Sequence, residues 1–203
     1  TLSLKSPPQK LQIRTSCPWS IRRIPNMAYH HLALAAKDMK ATHAFYEGIM
    51  GFELVKVEVA PVAGGGWGKH FFYRMDNDDS KFIAFWELHD TAKQDEHIYD
   101  LNKAANLPTL TNHFSFSVDT KEDLVQWREK WREAGLNVFE IDHNWCHSIY
   151  TTDPNGNGVE FCVTTGEFTG TDRERALAAL DETEFKPSPP PVYMNMWEAK
   201  STG

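Results

Sequence analysis

His113-Phe114-Ser115-Phe116-Ser117-Val118 alternates large apolar residues with a histidine and two serines, the period of a β-strand buried on one face. His31-Leu32-Ala33-Leu34-Ala35-Ala36 has the same form, again opened by a histidine with small residues on the histidine's face. The segments after the two strands match as well. The first strand leads into Lys37 and Asp38, then a helical stripe of Met39, Phe45, Tyr46 and Ile49 that stops at Gly51. After the second, Asp119 or Thr120 is a ready N-cap for a helix striped by Leu124, Trp127 and Trp131 and stopped by Gly135. Histidine and terminating glycine stand 20 residues apart in one copy and 22 in the other. This internal repeat sets the order of elements twice over, and with it the fold.

Beyond the helices, Phe52-Glu53-Leu54-Val55, Lys69 to Arg74 and Lys81 to Leu88 complete the first copy as strands, the last two joined by Asp76-Asn77-Asp78-Asp79. Asn137-Val138-Phe139, Ser148 to Thr151 and Val159 to Thr164 complete the second, the last two joined by Asp153-Pro154-Asn155-Gly156. The fold class is α+β, two tandem βαβββ modules forming a cleft, with a short C-terminal helix and a Pro-rich tail. The modules span 28–90 and 110–166 within one domain, 27–166, and 91–109 is a charged linker or short helix. A four-stranded sheet cannot hide its inner face alone, so the modules are expected to pack together, their opening strands facing across the cleft. Residues 167–203 are expected to hold a helix through Ala176 to Leu180, capped by Thr171 or Asp172, then an extended tail suited to lying over a partner subunit. Gly64-Gly65-Gly66 lacks the strand-before, helix-after setting of a phosphate loop.

Charge bounds the partners. A net charge of -7 argues against nucleic acid or an anionic membrane, and no apolar run approaches the roughly 18 residues that cross a bilayer. Residues 1–26 hold Lys5, Lys10, Arg14, Arg22 and Arg23 with no acid, so the rest carries -12. That segment reads as a disordered arm or a targeting leader. Cys17, Cys146 and Cys162 are an odd set without CxxC spacing, and read as reduced thiols of a cytoplasmic protein.

The chemistry is carried by three residues on strands. His31 shares its face with Ala33 and Ala35, and His113 with Ser115 and Ser117, which leaves room for an ion and a small-molecule ligand. Glu160 sits between Val159 and Phe161, where an unpaired carboxylate is costly and a metal ion is a common remedy. A lone strand histidine is more often structural than a ligand. Two at the same point of a repeat, with a strand glutamate, form the ligand set of a non-haem Fe(II) centre with open positions, and also suit Mn(II), Ni(II) or Zn(II). His30 points to the other face. Trp67, Phe72, Trp86 and Trp145 either line a pocket for a flat ring or pack the core.

The repeated unit, His31-Leu32-Ala33-Leu34-Ala35, Phe45-Tyr46 through Gly51-Phe52, and Asp153-Pro154-Asn155-Gly156 leading to Glu160 together resemble the vicinal oxygen chelate superfamily. That superfamily includes glyoxalase I, type I extradiol ring-cleaving dioxygenases, methylmalonyl-CoA epimerase and the bleomycin and fosfomycin resistance proteins. The closing segment, with His143, Ile149-Tyr150, Asp153-Pro154, Gly156 and Glu160, is most similar to the extradiol dioxygenase signature. The resemblance implies Fe(II) on His31, His113 and Glu160, catalytic roles for His143 and Tyr150 beside substrate or oxygen, a small aromatic diol as substrate, and a homodimer. The further acid–base histidine of those enzymes has no counterpart in Lys81-Phe82-Ile83-Ala84-Phe85, which leaves His70 or His97 for that role. The alternative is a glyoxalase I-like lyase or isomerase that adds Glu87 as a fourth ligand. A gap-free match puts Ala84 at that position and Glu87 three residues on, on the opposite face. A third reading, from a different class, is a resistance-type protein that binds a small molecule and performs no reaction.

Overall fold

The structure, a computed structural model, describes residues 28–201; the expectations for residues 1–26 lie outside that range. The first sheet holds β1 (His31–Ala35), β2 (Glu53–Pro61), β3 (Trp67–Arg74) and β4 (Phe82–His89) in the order β1-β4-β3-β2. β1 runs parallel to β4, and the other neighbours are antiparallel. The second sheet repeats this order with β5 (His113–Ser117), β6 (Val138–Asp142), β7 (Cys146–Thr152) and β8 (Gly158–Thr164), then adds β9 (Tyr193–Trp197) beside β6. The two expected βαβββ modules are present.

Each module has its crossover helix. α1 (Met39–His43) starts on the Asp38 carboxylate, which accepts from the amides of Lys40 and Ala41. It runs on as a wider π-helical segment, Ala44–Ile49, and ends at Gly51, whose φ of 77° suits glycine. Between the modules, α2 (Leu101–Ala105) is the short helix allowed for the linker. α3 (Lys121–Glu133) is opened by a Thr120–Asp123 capping box. Leu124 and Trp131 of α3 and Phe45 and Tyr46 of the first helix are buried in one continuous core with Phe85, Ile149, Val159 and Phe161. Phe52 meets Phe116 at 5.3 Å between ring centroids, so the core crosses the module boundary.

The Asp-Pro-Asn-Gly turn ties the modules together. The Asp153 carboxylate accepts from the amides of Asn155 and Asn157 at 2.9 Å and from the Tyr46 hydroxyl at 3.1 Å. Asn155 accepts from the Lys37 amide at 2.8 Å and donates to the Thr42 hydroxyl at 3.2 Å. These side chains are buried, so each hydrogen bond also avoids the larger cost of an unpaired polar atom.

Two expectations for the C-terminal region are corrected. α4 (Gly170–Ala179) is capped by Thr169, not Thr171 or Asp172, because Asp172 serves as the third residue of a capping box and bonds back to the Thr169 amide and hydroxyl. The Pro-rich segment is followed by β9, which forms the edge of the second sheet. Trp197 holds it there: its indole N–H donates to Glu140 at 2.6 Å, and the Arg128 guanidinium lies 4.1 Å from the ring centroid.

Candidate metal centre

The second sheet builds a polar line on its open face. The parallel β5–β8 ladder sets Ser115 beside Glu160 and His113 beside Gly158, and β7 sets Tyr150 directly across from Glu160. The approach at Gly158 is tight: a Cβ would stand 2.8 Å from a Leu110 methyl carbon and 3.0 Å from the His113 Cβ. His113 Nδ1 lies 2.7 Å from the Leu110 carbonyl oxygen, which marks Nδ1 as the protonated nitrogen and turns Nε2 toward Glu160.

His113 Nε2 and Glu160 Oε2 are 3.1 Å apart, and Glu160 is only 5% exposed. A carboxylate this buried calls for a positive partner, which either a second proton on the His113 ring or a shared cation supplies. Ligand atoms bound at about 2.0–2.2 Å from one ion stand roughly 3 Å apart, so this pair fits a divalent metal. Beyond it, the Tyr150 hydroxyl is 3.1 Å from His143 Nε2, and the Tyr150 ring is edge-on to His113 at 5.7 Å. Burial pushes the Tyr150 phenol up; a hydrogen bond involving Ser148 opposes this and the Glu160 charge adds to it. The phenol therefore keeps its proton at neutral pH.

The other candidate ligand stands on the other sheet. His31 shares its face with Ala33 and Ala35, with Phe82, Ala84 and Trp86 of β4, and with His70 and Phe72 of β3. Its Nδ1 is 2.9 Å from His30 Nδ1, and its ring is 6.2 Å from that of His70. His70 is buried and stacked on Trp86 at 4.1 Å, with its Nε2 unpartnered among the described residues. Burial lowers the His70 pKa, and the neighbouring His31 lowers it further against the pull of Glu58. His97 sits elsewhere, beside Tyr99.

Among the described residues no three His, Cys, Asp or Glu side chains converge on one point. The structure thus brings together His113, Glu160, Tyr150 and His143, and groups His31 with His30 and His70. Glu87 joins neither group. It lies on the face of β4 opposite Ala84, where Lys69 Nζ is 2.8 Å and His89 Nε2 3.3 Å away, and the Lys69 hydrogen bond leads the causes that lower its pKa. A cleft of about 410 Å³ does open between the modules, but the first module reaches it with Leu32, Phe82 and Ile83. His113, Phe114 and Phe116 line its other side.

Of the four singled-out aromatics, Phe72 stands near the candidate ligand His31 and Trp86 stacks on His70. Trp67 stacks on His89, and Trp145 packs against Phe168. The Leu110 carbonyl that orients His113 carries no mark in the sequence, since it depends on Leu110 adopting φ 66°.

The chain is similar to known proteins. A protein of Bacillus subtilis (strain 168) named "Probable trivalent organoarsenical cleaving enzyme" is 25% identical over 144 residues, 68% of this chain and 81% of its own. A glyoxylase/bleomycin resistance protein/dioxygenase domain from Frankia sp. EAN1pec has the same fold, with a TM-score of 0.51 at 16% identity over 68% of this chain and 98% of that one. The fosfomycin resistance protein FosX from Listeria monocytogenes, complexed with Mn(II) and sulfate ion, gives 0.44 at 18% identity over 73% and 98%. A family model matches residues 28–161, and with the paired modules this places the chain in the Glyoxalase/Bleomycin resistance protein/Dioxygenase superfamily.

Proposed function

We propose that the chain is a divalent-metal enzyme of the dioxygenase type, with Fe(II) as the preferred ion and a small aromatic diol as substrate. One observation carries this reading: His113 Nε2 and Glu160 Oε2 converge at 3.1 Å beside the Tyr150–His143 pair, while Glu87 lies on the opposite face of β4, paired with Lys69. A three-ligand shell without Glu87 leaves coordination positions open, which favours oxygen chemistry over the four-ligand shell of a lyase.

His31 completes the shell from a second copy. It is exposed on the open face of the first sheet, as His113, Ser115 and Ser117 are on the second. A two-fold dimer that laid the first sheet of each copy against the second sheet of the other would make two equal sites. When bound, the ion would supply Lewis acidity for the diol and a binding position for oxygen. The rest falls to side chains. Leu110 fixes the His113 tautomer, and Tyr150, protonated and hydrogen-bonded to His143, is placed to donate to an oxygen atom of the substrate. His70, buried beside His31, is the candidate acid–base imidazole, and Phe72 and Trp86 offer flat apolar surface to a ring.

The test is anaerobic purification with Fe(II) loading, then oxygen uptake across a panel of catechols. Iron-dependent oxygen consumption that Tyr150→Phe reduces by about 10²-fold or more, with iron content unchanged, is the expected result. Turnover of a glutathione hemithioacetal with Ni(II) or Zn(II), and no oxygen uptake, would establish the lyase instead.

A further inference from the structure

The residues of α4 commit to a helix: Thr169 and Asp172 form its capping box, and Ala176 to Leu180 are all strong helix formers. Yet every residue of α4 is exposed, and a lone helix of ten residues is marginal in water. A helix this short needs an apolar stripe to bury, and it has one. Phe168, Ala176, Leu177 and Leu180 line an open groove of about 550 Å³ bordered by Asp172 and Arg173. Leu180 is 79% exposed and Phe168 71%.

Charge decides what covers the groove. A helix on its own favours acids in its first turn and bases in its last, because its macrodipole is positive at the N-terminus. After Asp172, α4 turns to Arg173 and Arg175, holds no base in its last turn, and is followed by Asp181, Glu182 and Glu184. It therefore runs from basic to acidic, against its own dipole. Arg175 and Lys186 pair with Glu182 at 3.0 and 3.5 Å, whereas Arg173 and Asp181 have no ion-pair partner among the described residues. Those two stand four residues either side of Leu177, on its stripe. A pattern of this kind is complementary to itself turned end for end: in an antiparallel pair centred on Leu177, Arg173 of each copy lies level with the partner's Asp181. An anionic membrane, the other common cover for an amphipathic helix, is disfavoured by six acids against two bases in residues 167–184.

We propose that α4 is a self-association helix that docks antiparallel on α4 of a second copy. Leu177 meets the partner's Leu177 on the two-fold axis, Ala176 and Leu180 close the apolar stripe, and an Arg173–Asp181 pair forms at each end. A helix of ten residues is about 15 Å long, so this contact alone falls short of the roughly 1,200–2,000 Å² of a stable interface. The association is accordingly concentration-dependent. It uses neither histidine face and needs no metal, so it stands or falls independently of the dioxygenase reading.

Charge reversal separates this pairing from any other contact. Arg173→Asp and Asp181→Arg each set like charges together twice in a pair of identical chains, although both changes suit the dipole of the isolated helix. In sedimentation velocity of the metal-free full chain, each variant should self-associate at least tenfold more weakly than the wild type. Mixed in equal amounts, the two variants should pair with each other well above the statistical half in native mass spectrometry. The double variant Arg173→Asp/Asp181→Arg should associate like the wild type, and Leu177→Glu should abolish the contact whatever the charges. A wild type that stays monomeric as its concentration rises would overturn the proposal. So would single reversals that associate like the wild type, or a mixture that exchanges and stays statistical.

Discussion

Two glutamates on equivalent strands have opposite fates, and their neighbours explain why. Glu87 on β4 meets Lys69 and His89 at the sheet surface, where an ion pair of this kind contributes at most about 1 kcal/mol. Glu160 on β8 is buried between Val159 and Phe161 and faces His113, Ser115 and Tyr150. A divalent ion shared with His113 is the partner we propose for its charge. Glu160→Gln and His113→Ala should therefore lower divalent-metal affinity at least tenfold with the circular dichroism spectrum unchanged, whereas Glu87→Gln should hold as much metal as the wild type. Elemental analysis after desalting checks this, and full metal content in Glu160→Gln would remove the proposed centre. Alternation alone makes His113, Ser115 and Glu160 legible as one face. It cannot show that Leu110 orients the imidazole, because that carbonyl reaches His113 only through a positive φ.

Among the elements, Asp153-Pro154-Asn155-Gly156 is legible as a turn, but its role in joining the modules is not. Its side chains reach the Lys37 amide, Thr42 and Tyr46, more than a hundred residues away along the chain, and no local pattern encodes such partners. Asp153→Ala would strip the acceptor from two buried amides and one buried hydroxyl at once. The expected cost is about 2–4 kcal/mol, a fall in Tm of several degrees or more in thermal unfolding. An unchanged Tm would mean that water replaces the carboxylate and that the modules are held by the apolar core alone. β9 escapes a reading of the sequence for a related reason. Tyr193-Met194-Asn195-Met196-Trp197 comes after a proline tract, and what fixes it is nonlocal: Glu140 on β6, and Arg128 and Arg132 on α3, which converge on the Trp197 ring.

The repeat makes His31 and His113 equivalent, yet equivalence says nothing about which sheet faces meet when the molecule is assembled. Within one chain the modules join through Tyr46, Phe52, Phe116 and the Asp153 turn, and both histidine faces remain open. A shell shared between two copies has a consequence that no single-chain site shares. His31→Ala and His113→Ala, each pure, should lack metal and oxygen uptake, because every site in either dimer has lost a ligand. In a mixed dimer, one site carries both lesions and the other carries neither. Random reassortment of the two variants makes half of the dimers mixed, so metal content and oxygen uptake should recover to about a quarter of wild type. Recovery on mixing, measured together with dimer exchange by native mass spectrometry, places His31 opposite the partner's Glu160. If the dimers exchange and nothing recovers, the ligands belong to one chain and the two sheets must close on each other within it.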